Sequence, residues 1–495
     1  MDKVTIGYCI LILCSFIQKS HQNLIVVTGP GLEPENIILP ARYFFVNFTF
    51  VDSASYSPEL AHSFAVEIEG RTKKSPHCRV WANKLDRKDG TFIVRYKIYE
   101  TCYDVSISLY YKSKHIKGSP YTFKGPIHPD QCNCPEKEFE TWLTNYGCSN
   151  TYGQIEKDLK PFQDIEMKTQ VNKIIEKYHQ PESTSFCHYV IKDSNLYRDC
   201  YGKHVGFNMF SDNILLALLR KVRLPDVELV INLGDWPLIR QNAEPHPMFS
   251  WCGSNDTIDI VMPTYDITES TLENMARVTL DTLSVQGGAE RRWSQREPRA
   301  IWRGRDSRAE RLKLIDIARA HPELFNVSLT NFFFFRDKEA EYGPKQPHIS
   351  FFKFFDYKYQ INIDGTVAAY RLPYLLAGGG MVLKQDSPYY EHFYGQLREW
   401  EHYVPVRRDL SDLVERVHWA LEHDDEARRI AKNARAFANE HLLPQHVICY
   451  HAVLFSEWSK RIKSDIEVKE GMTHVPQPQF PCECQPRDKD ARDEL

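Results

Sequence analysis

An aspartate that follows a short apolar strand is placed for acid–base chemistry. The strand is predicted over Val227–Asn232, and the loop 233–237 holds Asp235 just beyond its end. Ligands of open α/β sheets lie at the carboxyl ends of the strands. A carboxylate there can take a proton from a hydroxyl nucleophile. Taken alone, the same aspartate can equally cap N–H groups of its own loop.

Four arginines crowd the start of a helix predicted further along the chain. A strand predicted at 300–302 is followed by a loop, and Ser307 with Glu310 forms a capping-box pattern that predicts a helix from about residue 308. Because the helix dipole is positive at this end, each nearby cation costs about 0.3–1 kcal/mol. A bound anion would offset that cost, and the alternative is a solvated basic helix start. The four residues are Arg303, Arg305, Arg308 and Arg311.

A third unit repeats this arrangement. A strand predicted at 359–363 leads through a turn into a helix predicted over 367–376. Pro373 is tolerated only in a first helical turn, so the regular helix is expected to begin near residue 369 or 370. The loop before it then has free N–H groups, which predict a phosphate cradle. The candidate anion-binding residues of this segment are Thr366, Val367, Ala368, Ala369, Tyr370 and Arg371.

Two regions with different patterns of predicted secondary structure must position these residues. The chain has 495 residues, enough for about three domains. Residues 26–124 contain short strands rich in β-branched and aromatic residues and no helical period, which predicts an all-β immunoglobulin-like sandwich. Beyond residue 126 helices alternate with strands, which predicts a doubly wound α/β architecture. We expect the two regions to have separate cores.

Charge and hydropathy exclude several classes of function. The net charge of −4 produces no global attraction to nucleic acid or to an acidic membrane, so any anion site must be local. The apolar run 6–17 is too short to span a bilayer and is typical of a signal peptide, predicted over residues 1–20. No other segment is apolar enough to span. We therefore expect neither nucleic-acid binding nor membrane insertion.

The C-terminal residues and the sequons indicate a lumenal protein. The final four residues, R-D-E-L, resemble the retrieval signal of the endoplasmic reticulum and end a tail, 481–495, that we expect to be flexible. The predicted location is therefore the endoplasmic reticulum lumen, with the retrieval receptor as a partner. Three N-glycosylation sequons agree with it, although about as many arise by chance. They begin at Asn47, Asn255 and Asn326.

The cysteines favour disulfides over a metal site. Of 13 cysteines two lie in the predicted signal peptide, and the odd number that remains leaves at least one thiol unpaired. The C-x-C tracts at 132–134 and 482–484 lack the usual zinc spacing and matching histidines. No metal is therefore expected. Cys78 and Cys102 form either a bridge between strands or two buried thiols.

Several separated motifs resemble known families. Gly-Pro-Gly-Leu at 29–32, Asp-Gly-Thr-Phe at 89–92 and the exit motif at 115–121 are similar to a filamin-type repeat. The tracts 132–134, 154–159, 223–237, 302–305 and 357–371 resemble the protein O-glucosyltransferase family of CAP10-like enzymes. Together with the R-D-E-L tail, the whole chain resembles the KDEL-motif-containing members.

The second resemblance implies a GT-B fold of two Rossmann-like halves that follows the filamin-type sandwich. The expected domains are the repeat at 24–125 and the enzyme at 126–480, with an acceptor half at about 130–295, a donor half at about 296–440 and closing helices at about 441–465. The implied reaction is inverting transfer of glucose from UDP-glucose to a Ser of epidermal-growth-factor-like (EGF-like) repeats. No cofactor or metal is implied.

The resemblance also assigns roles to single residues. Asp235 matches the catalytic base, Arg311 a donor-binding arginine, and the segment from Thr366 to Arg371 the part that holds UDP-glucose. Arg305 stands where relatives have a small donor-binding residue, so UDP-xylose is a second possible donor. The residues that match an acceptor-contacting loop are Tyr201, Gly202, Lys203 and His204.

The resemblance further favours particular disulfides. It pairs Cys132 with Cys449 and Cys134 with Cys148, and Cys187 with Cys200 could tie the acceptor loop. The rival interpretation of the whole chain is a catalytically inactive lumenal protein that binds cysteine-rich clients. Retention of Asp235 beside an arginine-rich anion pocket argues against that rival, since a binding protein needs no base there.

Overall fold

The computed structural model describes residues 24–52, 55–180, 182, 185–272, 280–288, 290–482 and 484. The predicted signal peptide and the R-D-E-L motif lie outside the described residues. Within the described ranges, no helix combines the length and the apolar character that crossing a bilayer requires.

The first region is a sandwich of two antiparallel sheets, as predicted. Along the strand Tyr103–Tyr111, Val105, Ile107 and Leu109 are buried while Ser106 and Ser108 are partly exposed, which is the expected alternation. The elements are β1 (Ile25–Thr28), β2 (Arg42–Phe48), α1 (Pro58–Ser63), β3 (Phe64–Arg71), β4 (Val80–Asp86), β5 (Thr91–Ile98), β6 (Tyr103–Tyr111), β7 (Lys114–His115) and β8 (Tyr121–Phe123). One sheet has the order β1-β2-β5-β4, and the other is β3-β6-β7 with β8 also on β6.

The second region begins with a half built on a mixed sheet. Its elements are α2 (Phe139–Tyr146), α3 (Gly153–Leu159), α4 (Met167–Tyr178), β9 (Phe186–Lys192), β10 (Asn195–Tyr201), α5 (Asn208–Leu219), β11 (Val227–Asn232), β12 (Phe249–Ser250), β13 (Gly253–Ser254), β14 (Ile260–Val261), α6 (Tyr265–Leu272) and α7 (Thr282–Gly287). β11, β12 and β14 run parallel, while β9 is antiparallel to β11. Every residue of β11 is buried, as its apolar sequence predicts.

The following half has a parallel sheet in the order β16-β15-β17-β18-β20. Its elements are β15 (Glu297–Arg305), α8 (Ala309–Ala320), β16 (Phe325–Asn331), α9 (Glu339–Tyr342), β17 (Tyr357–Asn362), α10 (Leu372–Ala377), β18 (Met381–Gln385), β19 (Tyr389–Tyr390), β20 (Val404–Val406), α11 (Leu413–Glu422) and α12 (Asp424–His441). The last elements of the chain, α13 (Pro444–Ser459) and β21 (Thr473–Val475), lie with the first half. One cleft is lined from both halves, by Asp235 after β11 and by residues 365–371 after β17, as expected of a GT-B-like fold.

The chain returns to the first half at its end. α13 packs into the core of the mixed sheet, and β21 pairs with β10 as an edge strand. Two bonds, Cys132–Cys482 and Cys134–Cys484, then join the C-terminal C-x-C tract to the N-terminal one. The segment expected to be flexible from residue 481 is therefore tied down as far as Cys484.

All six cysteines predicted to form disulfides do so, but two predicted pairings are wrong. Cys132 bonds to Cys482 rather than Cys449, and Cys148 bonds to Cys449 rather than Cys134. The reason is the return of the chain, which places the second C-x-C tract beside the first. The remaining bonds are Cys187–Cys200, as favoured, and Cys78–Cys102, which decides between the alternatives left open.

The expected unpaired thiol is Cys252, which is buried. In the described part of the chain, one group of metal-ligand types, His128 with Cys132 and Cys134, has its ligand atoms within 4.8 Å of one another. Both cysteines of this group are disulfide-bonded, so it offers no thiolate ligand. Of the sequon asparagines, Asn47 and Asn255 are exposed. The Asn326 amide is held at both ends, by the Tyr357 hydroxyl at 2.5 Å and Arg303 Nη2 at 2.5 Å.

The prediction of separate cores is wrong in part. The sandwich has its own core, but one of its faces also packs into the first half of the second region: Ile37, Leu39, Tyr43 and Ile93 belong to the same buried cluster as helix α2. Arg95 and Asp281 form a buried ion pair across this junction at 3.3 Å. β5 is buried at five consecutive positions and lacks the alternation of a strand with one wet face, which is typical of a strand covered on both faces. The sequence pattern therefore carried a sign of this contact, but it did not identify the partner.

Substitution of Leu39, which is 1% exposed, tests the shared core. Leu39→Ala should lower the free energy of unfolding by about 2–5 kcal/mol, and the filamin-like and catalytic regions should melt together in calorimetry. Leu39→Met, which keeps the volume, should cost less than about 1.5 kcal/mol. Two separate transitions, of which the substitution moves only one, would show that the cores are independent.

Candidate functional site

Asp235 lies in a loop that a buried asparagine shapes. Asn232, the last residue of β11, accepts a hydrogen bond from Gly234 N at 2.9 Å through Oδ1 and donates to Trp236 O at 2.7 Å through Nδ2. The Asn232 amide therefore supplies hydrogen-bond partners for two main-chain groups of the loop. The arrangement holds Asp235 at the carboxyl end of the strand, where the sequence placed it.

The carboxylate of Asp235 has two neighbours that stabilise its charge. The Tyr265 hydroxyl, from the start of α6, donates to Oδ1 at 3.5 Å. Burial raises the pKa of Asp235, while the Tyr265 hydrogen bond and the Arg305 charge lower it. A carboxylate with a raised pKa is a stronger base than an exposed aspartate. The balance suits a residue that must be ionised and still accept a proton.

The backbone of Asp235 is held from both halves. Its carbonyl oxygen accepts hydrogen bonds from Cys252 Sγ at 3.4 Å and from the Tyr370 hydroxyl at 3.5 Å. Tyr370 belongs to the segment predicted as a phosphate cradle. Cys252, the unpaired cysteine of the described residues, therefore acts as a buried donor, since burial also raises the pKa of its thiol.

The donor loop, residues 363–371, follows β17 and is held by two arginines. Arg311 donates to Asp364 O at 2.7 Å, to Ile363 O at 3.1 Å and to Arg305 O at 2.9 Å. Arg308 donates to Gly365 O at 2.6 Å and to Thr366 O at 2.9 Å. These hydrogen bonds use carbonyl oxygens of the loop and none of its N–H groups.

The donor loop is longer than predicted. α10 begins at Leu372, with Pro373 in its first turn, rather than near residue 369. The capping box at Ser307 does not form either, because α8 starts at Ala309 and its N-cap is Arg308, whose side chain is used on the donor loop. Among the described residues, the six N–H groups from 366 to 371 have no hydrogen-bond partner. They are therefore available to an anion.

These elements line one cleft of about 450 Å³. It brings together the predicted base and the predicted donor residues, that is, Asp235, Arg305, Arg311, Thr366, Val367, Ala368, Ala369, Tyr370 and Arg371. Arg305 is exposed, and in the described chain its side chain makes no hydrogen bond or ion pair. It is the cation that a ligand in the cleft can engage without breaking an existing bond.

Arg311 and Arg371 are less free than the sequence suggested. Burial lowers the pKa of Arg371 to about 10, although the charge of Asp266 on α6 raises it, and Nη1 donates to Arg303 O at 2.6 Å. Burial and then the charge of Arg371 lower the pKa of Arg311 to about 9. The cleft thus confines like charges, and a bound anion would relieve their repulsion.

The four predicted acceptor residues lie outside this cleft. Tyr201 ends β10 and donates to Asp199 at 2.5 Å, the Lys203 side chain pairs with Glu182 at 2.5 Å, and His204 N donates to Ser185 Oγ at 2.6 Å. Gly202, with φ of 99°, packs against Ser185.

An aromatic row links that loop to the base. Ring centroids are 6.5 Å apart for His204 and Phe207, 6.1 Å for Phe207 and Phe210, and 5.0 Å for Phe210 and Tyr265. Tyr265 then reaches Asp235.

The sequence analysis did not identify Tyr265, Asp266 or three exposed apolar residues, which are Phe207, Met209 and Trp236. Tyr265 and Asp266 lie just beyond the parallel strand β14, after three intervening residues, so the rule that locates Asp235 could have found them. Phe207, Met209 and Trp236 are each about half exposed. Trp236 directly follows Asp235, and the ring of Phe207 stacks on Phe210 in the aromatic row. No pattern marked them, because single exposed apolar residues are common on protein surfaces.

Two family models match the chain. The model described as "Glycosyl transferase family 90" matches residues 144–494, and the "Filamin/ABP280 repeat" model matches residues 19–122.

Similar proteins match over almost the whole length. Protein O-glucosyltransferase 2 of Danio rerio is 48% identical over 95% of this chain and 94% of its own. Protein O-glucosyltransferase 3 of Homo sapiens is 44% identical over 95% of this chain and 94% of its own. The chain therefore belongs to glycosyl transferase family 90 and carries a filamin repeat in front of its catalytic region.

Proposed function

We propose that this protein is a protein O-glucosyltransferase that transfers glucose from UDP-glucose to a Ser hydroxyl of a folded protein. The observation that carries the proposal is the single cleft that Asp235 shares with Arg305 and the free N–H groups of residues 366–371. It combines a base for the acceptor with a complement for a diphosphate. The names of the similar proteins support the same reaction class.

The base acts on the acceptor. Asp235 takes the proton of the Ser hydroxyl as the Ser oxygen forms its bond to C1 of the sugar, from the face opposite UDP. The bond between C1 and the phosphate oxygen breaks, and its electron pair leaves with UDP. Asp235 ends protonated and the configuration at C1 is inverted. A positioned base contributes about 10²–10⁴ in rate.

The leaving group determines the rest of the site. Negative charge accumulates on the departing diphosphate, and Arg305, Arg371 and the N–H groups of the donor loop are the donors in place to meet it. Preorganised donors of this kind usually supply the largest catalytic contribution. Because arginines meet the charge, we propose that transfer needs no metal and no cofactor. We further propose that Arg305, which lines the cleft, narrows the space for the sugar and that UDP-xylose is a second donor.

The acceptor surface fits a folded protein. Phe207, Met209 and Trp236 are half-exposed apolar residues, and Trp236 directly follows Asp235. We propose that they contact the acceptor, as exposed apolar side chains at protein interfaces do. We propose EGF-like repeats as the acceptors, with the loop Tyr201 to His204 contacting them further out. The aromatic row supports this assignment, because it connects the loop to Tyr265, whose hydroxyl contacts Asp235.

The compartment is proposed from the disulfides and the predicted sorting signals. Five disulfides are retained in oxidising compartments and are rare in the cytosol. We propose that the protein resides in the endoplasmic reticulum lumen and is returned there by the retrieval receptor through its R-D-E-L tail.

The direct test uses purified protein, UDP-glucose or UDP-xylose, and a folded EGF-like repeat, with mass spectrometry of the product. One added sugar on a Ser is expected, and none on a repeat in which that Ser is Ala. Absence of transfer to any folded repeat, with UDP binding intact, would favour the rival role of an inactive lumenal binding and quality-control protein.

Replacing the base separates chemistry from binding. Asp235→Asn keeps the shape of the side chain but removes its basicity, so transfer should fall by at least about 10²-fold while the Kd for UDP stays unchanged. Single-turnover assays and calorimetry measure the two effects. Transfer above about a tenth of the wild-type rate would remove Asp235 from the role of base, given that minimum contribution.

The Tyr265 hydroxyl sets the pH range. Its hydrogen bond lowers the pKa of Asp235, so Tyr265→Phe should raise that pKa. Because the base must be ionised, activity should then be lost at a higher pH than in the wild type as the solution is acidified. A pH–rate profile measures the shift, and Tyr197→Phe, which removes a hydroxyl elsewhere, should not produce it. A profile moved to lower pH would contradict the assignment.

Metal independence is tested by chelation. Transfer should proceed at the full rate in EDTA, since arginines and N–H groups meet the leaving-group charge. A requirement for Mn²⁺ would show that carboxylates act on the diphosphate instead, and Asp364, whose pKa burial raises to about 6, would be the first candidate.

A further inference from the structure

A second cleft lies where the filamin repeat meets the donor half. We call it the interdomain cleft, and its volume is about 670 Å³. The turn between β4 and β5 forms one wall, helix α12 forms the opposite wall, and residues 291–296 with Gly378 and Gly379 close the inner end. It shares no residue with the cleft that contains Asp235.

The charge of the interdomain cleft is strongly one-sided. Nine arginine or lysine side chains line it, against three aspartates. The catalytic cleft, proposed to hold a diphosphate, has four arginines against two aspartates. The whole chain carries a net charge of −4. A local excess of this size, in a protein that is acidic overall, creates a strong attraction for anions.

Helix α12 forms the outer wall of the interdomain cleft and contributes four basic side chains against one aspartate. Arg428, Lys432 and Arg435 follow one another at spacings of four and three residues, so they share one face, where like charges destabilise a helix. Arg435 pairs with Asp89 of the filamin repeat at 2.5 Å. Among the residues that the structure describes, Arg429 and Lys432 are exposed and make no hydrogen bond or ion pair.

At the inner end of the interdomain cleft, two arginine side chains donate hydrogen bonds to uncharged oxygen atoms. Arg296 is 8% exposed and donates to Gly379 O at 2.7 Å and Arg291 O at 3.2 Å. Arg87 donates to Thr91 Oγ1 at 2.7 Å and to Gln286 Oε1 at 3.0 Å. Carbonyl, hydroxyl and amide oxygens hold these guanidinium groups in place, and the nearby charges of Asp89 and Asp356 offset those of Arg87 and Arg296 only in part, since both pKa values remain lowered.

The guanidinium groups also lie near one another. A Cβ built on Gly379 would lie 3.9 Å from Arg296 Nη2 and 3.9 Å from Arg435 Nη1, so the two groups flank this glycine. Burial, followed by the charge of Arg435, lowers the pKa of Arg87 to about 9 and that of Arg296 to about 10. Both effects oppose the charged form, and an anion between the arginines would reverse them.

The chemistry of the lining defines the ligand. Guanidinium forks match the oxygens of phosphate and sulfate and bind them through paired, charge-assisted hydrogen bonds. The excess of six positive charges exceeds what one carboxylate can neutralise. The volume is larger than that of the catalytic cleft, which has to admit a nucleotide sugar. We propose that the interdomain cleft binds a small ligand that carries several phosphate or sulfate groups.

Such a ligand would touch the filamin repeat and helix α12 at the same time. It would therefore stabilise the junction between the two regions as well as filling the cleft. The filamin repeat carries no chemistry of its own, and this proposal gives it a binding role that does not depend on the transferase reaction.

Calorimetric titration of the full chain with inorganic tripolyphosphate, and separately with sucrose octasulfate, at physiological salt tests the proposal. Saturable binding of at least one probe is expected. In Arg429→Glu with Lys432→Glu that binding should weaken at least about tenfold, because two charge-assisted contacts become repulsive. Both positions are exposed, so the fold should be retained, and a thermal melt checks this.

A matched control makes the same change of charge elsewhere. Lys168→Glu with Lys313→Glu, on exposed faces of α4 and α8, should leave the affinity for both probes within about twofold, since the cleft is untouched. UDP titrations should give the same Kd in all three proteins, because the donor site is separate. Binding of tripolyphosphate alone would identify the ligand class as phosphate, and binding of the sulfated sugar alone as sulfate.

Two results would overturn the proposal. One is the absence of saturable binding by either probe to the wild-type protein. The other is equal weakening in the cleft variant and the control, which would show a general response to net charge. Neither result depends on transfer to an acceptor, so the proposed function can fail or hold independently.

Discussion

The catalytic cleft depends on the hydrogen bonds that Arg308 and Arg311 donate to main-chain carbonyl groups of the donor loop. Because these side chains occupy the carbonyls of residues 363–366, the chain stays out of helix until Leu372 and the following N–H groups remain free. The same loop carries Tyr370 to the backbone of Asp235. One set of hydrogen bonds therefore shapes the loop that we propose to bind the diphosphate and connects it to Asp235, the proposed base.

Three disulfide bonds stabilise the same arrangement of the two halves. The bond Cys148–Cys449 ties α13 into the first half, and the paired C-x-C tracts fasten the end of the chain beside its beginning. Each of these bonds closes a loop of 300 residues or more, and long loops lose the most entropy in the unfolded chain when closed. The second region is thus one closed unit in which the donor half is held between two segments of the acceptor half.

The filamin repeat is part of this unit rather than a tethered accessory. It shares buried side chains with α2 and an ion pair with Asp281, and it supplies one wall of the basic interdomain cleft. Charge is distributed unevenly as a result: positive groups collect in two clefts of a chain whose net charge is negative. A uniform field would attract any polyanion, whereas concave sites of this kind select ligands by shape as well as by charge.

The sequence by itself determined the local elements and the chemistry they carry. The strand before Asp235, the sandwich alternation of β6 and the arginine-rich loops follow from side-chain periodicity and turn chemistry, which act over a few residues. The sequence also placed Asp235 and the donor loop at strand ends, where ligand-binding residues of α/β sheets lie. The two strands belong to different sheets, so only the packing of the halves brings these segments into one cleft.

Only the tertiary structure decided which distant groups meet. The partners of Cys132 and Cys148, the charge of Asp266 beside Arg371, the Tyr265 hydroxyl on Asp235 and the basic interdomain cleft all depend on contacts between segments far apart in the chain. The start of α10 also changed, because hydrogen bonds from Arg308 and Arg311 outweighed a small local helix preference. Such contacts leave no periodic trace in the sequence, since each depends on how whole elements pack.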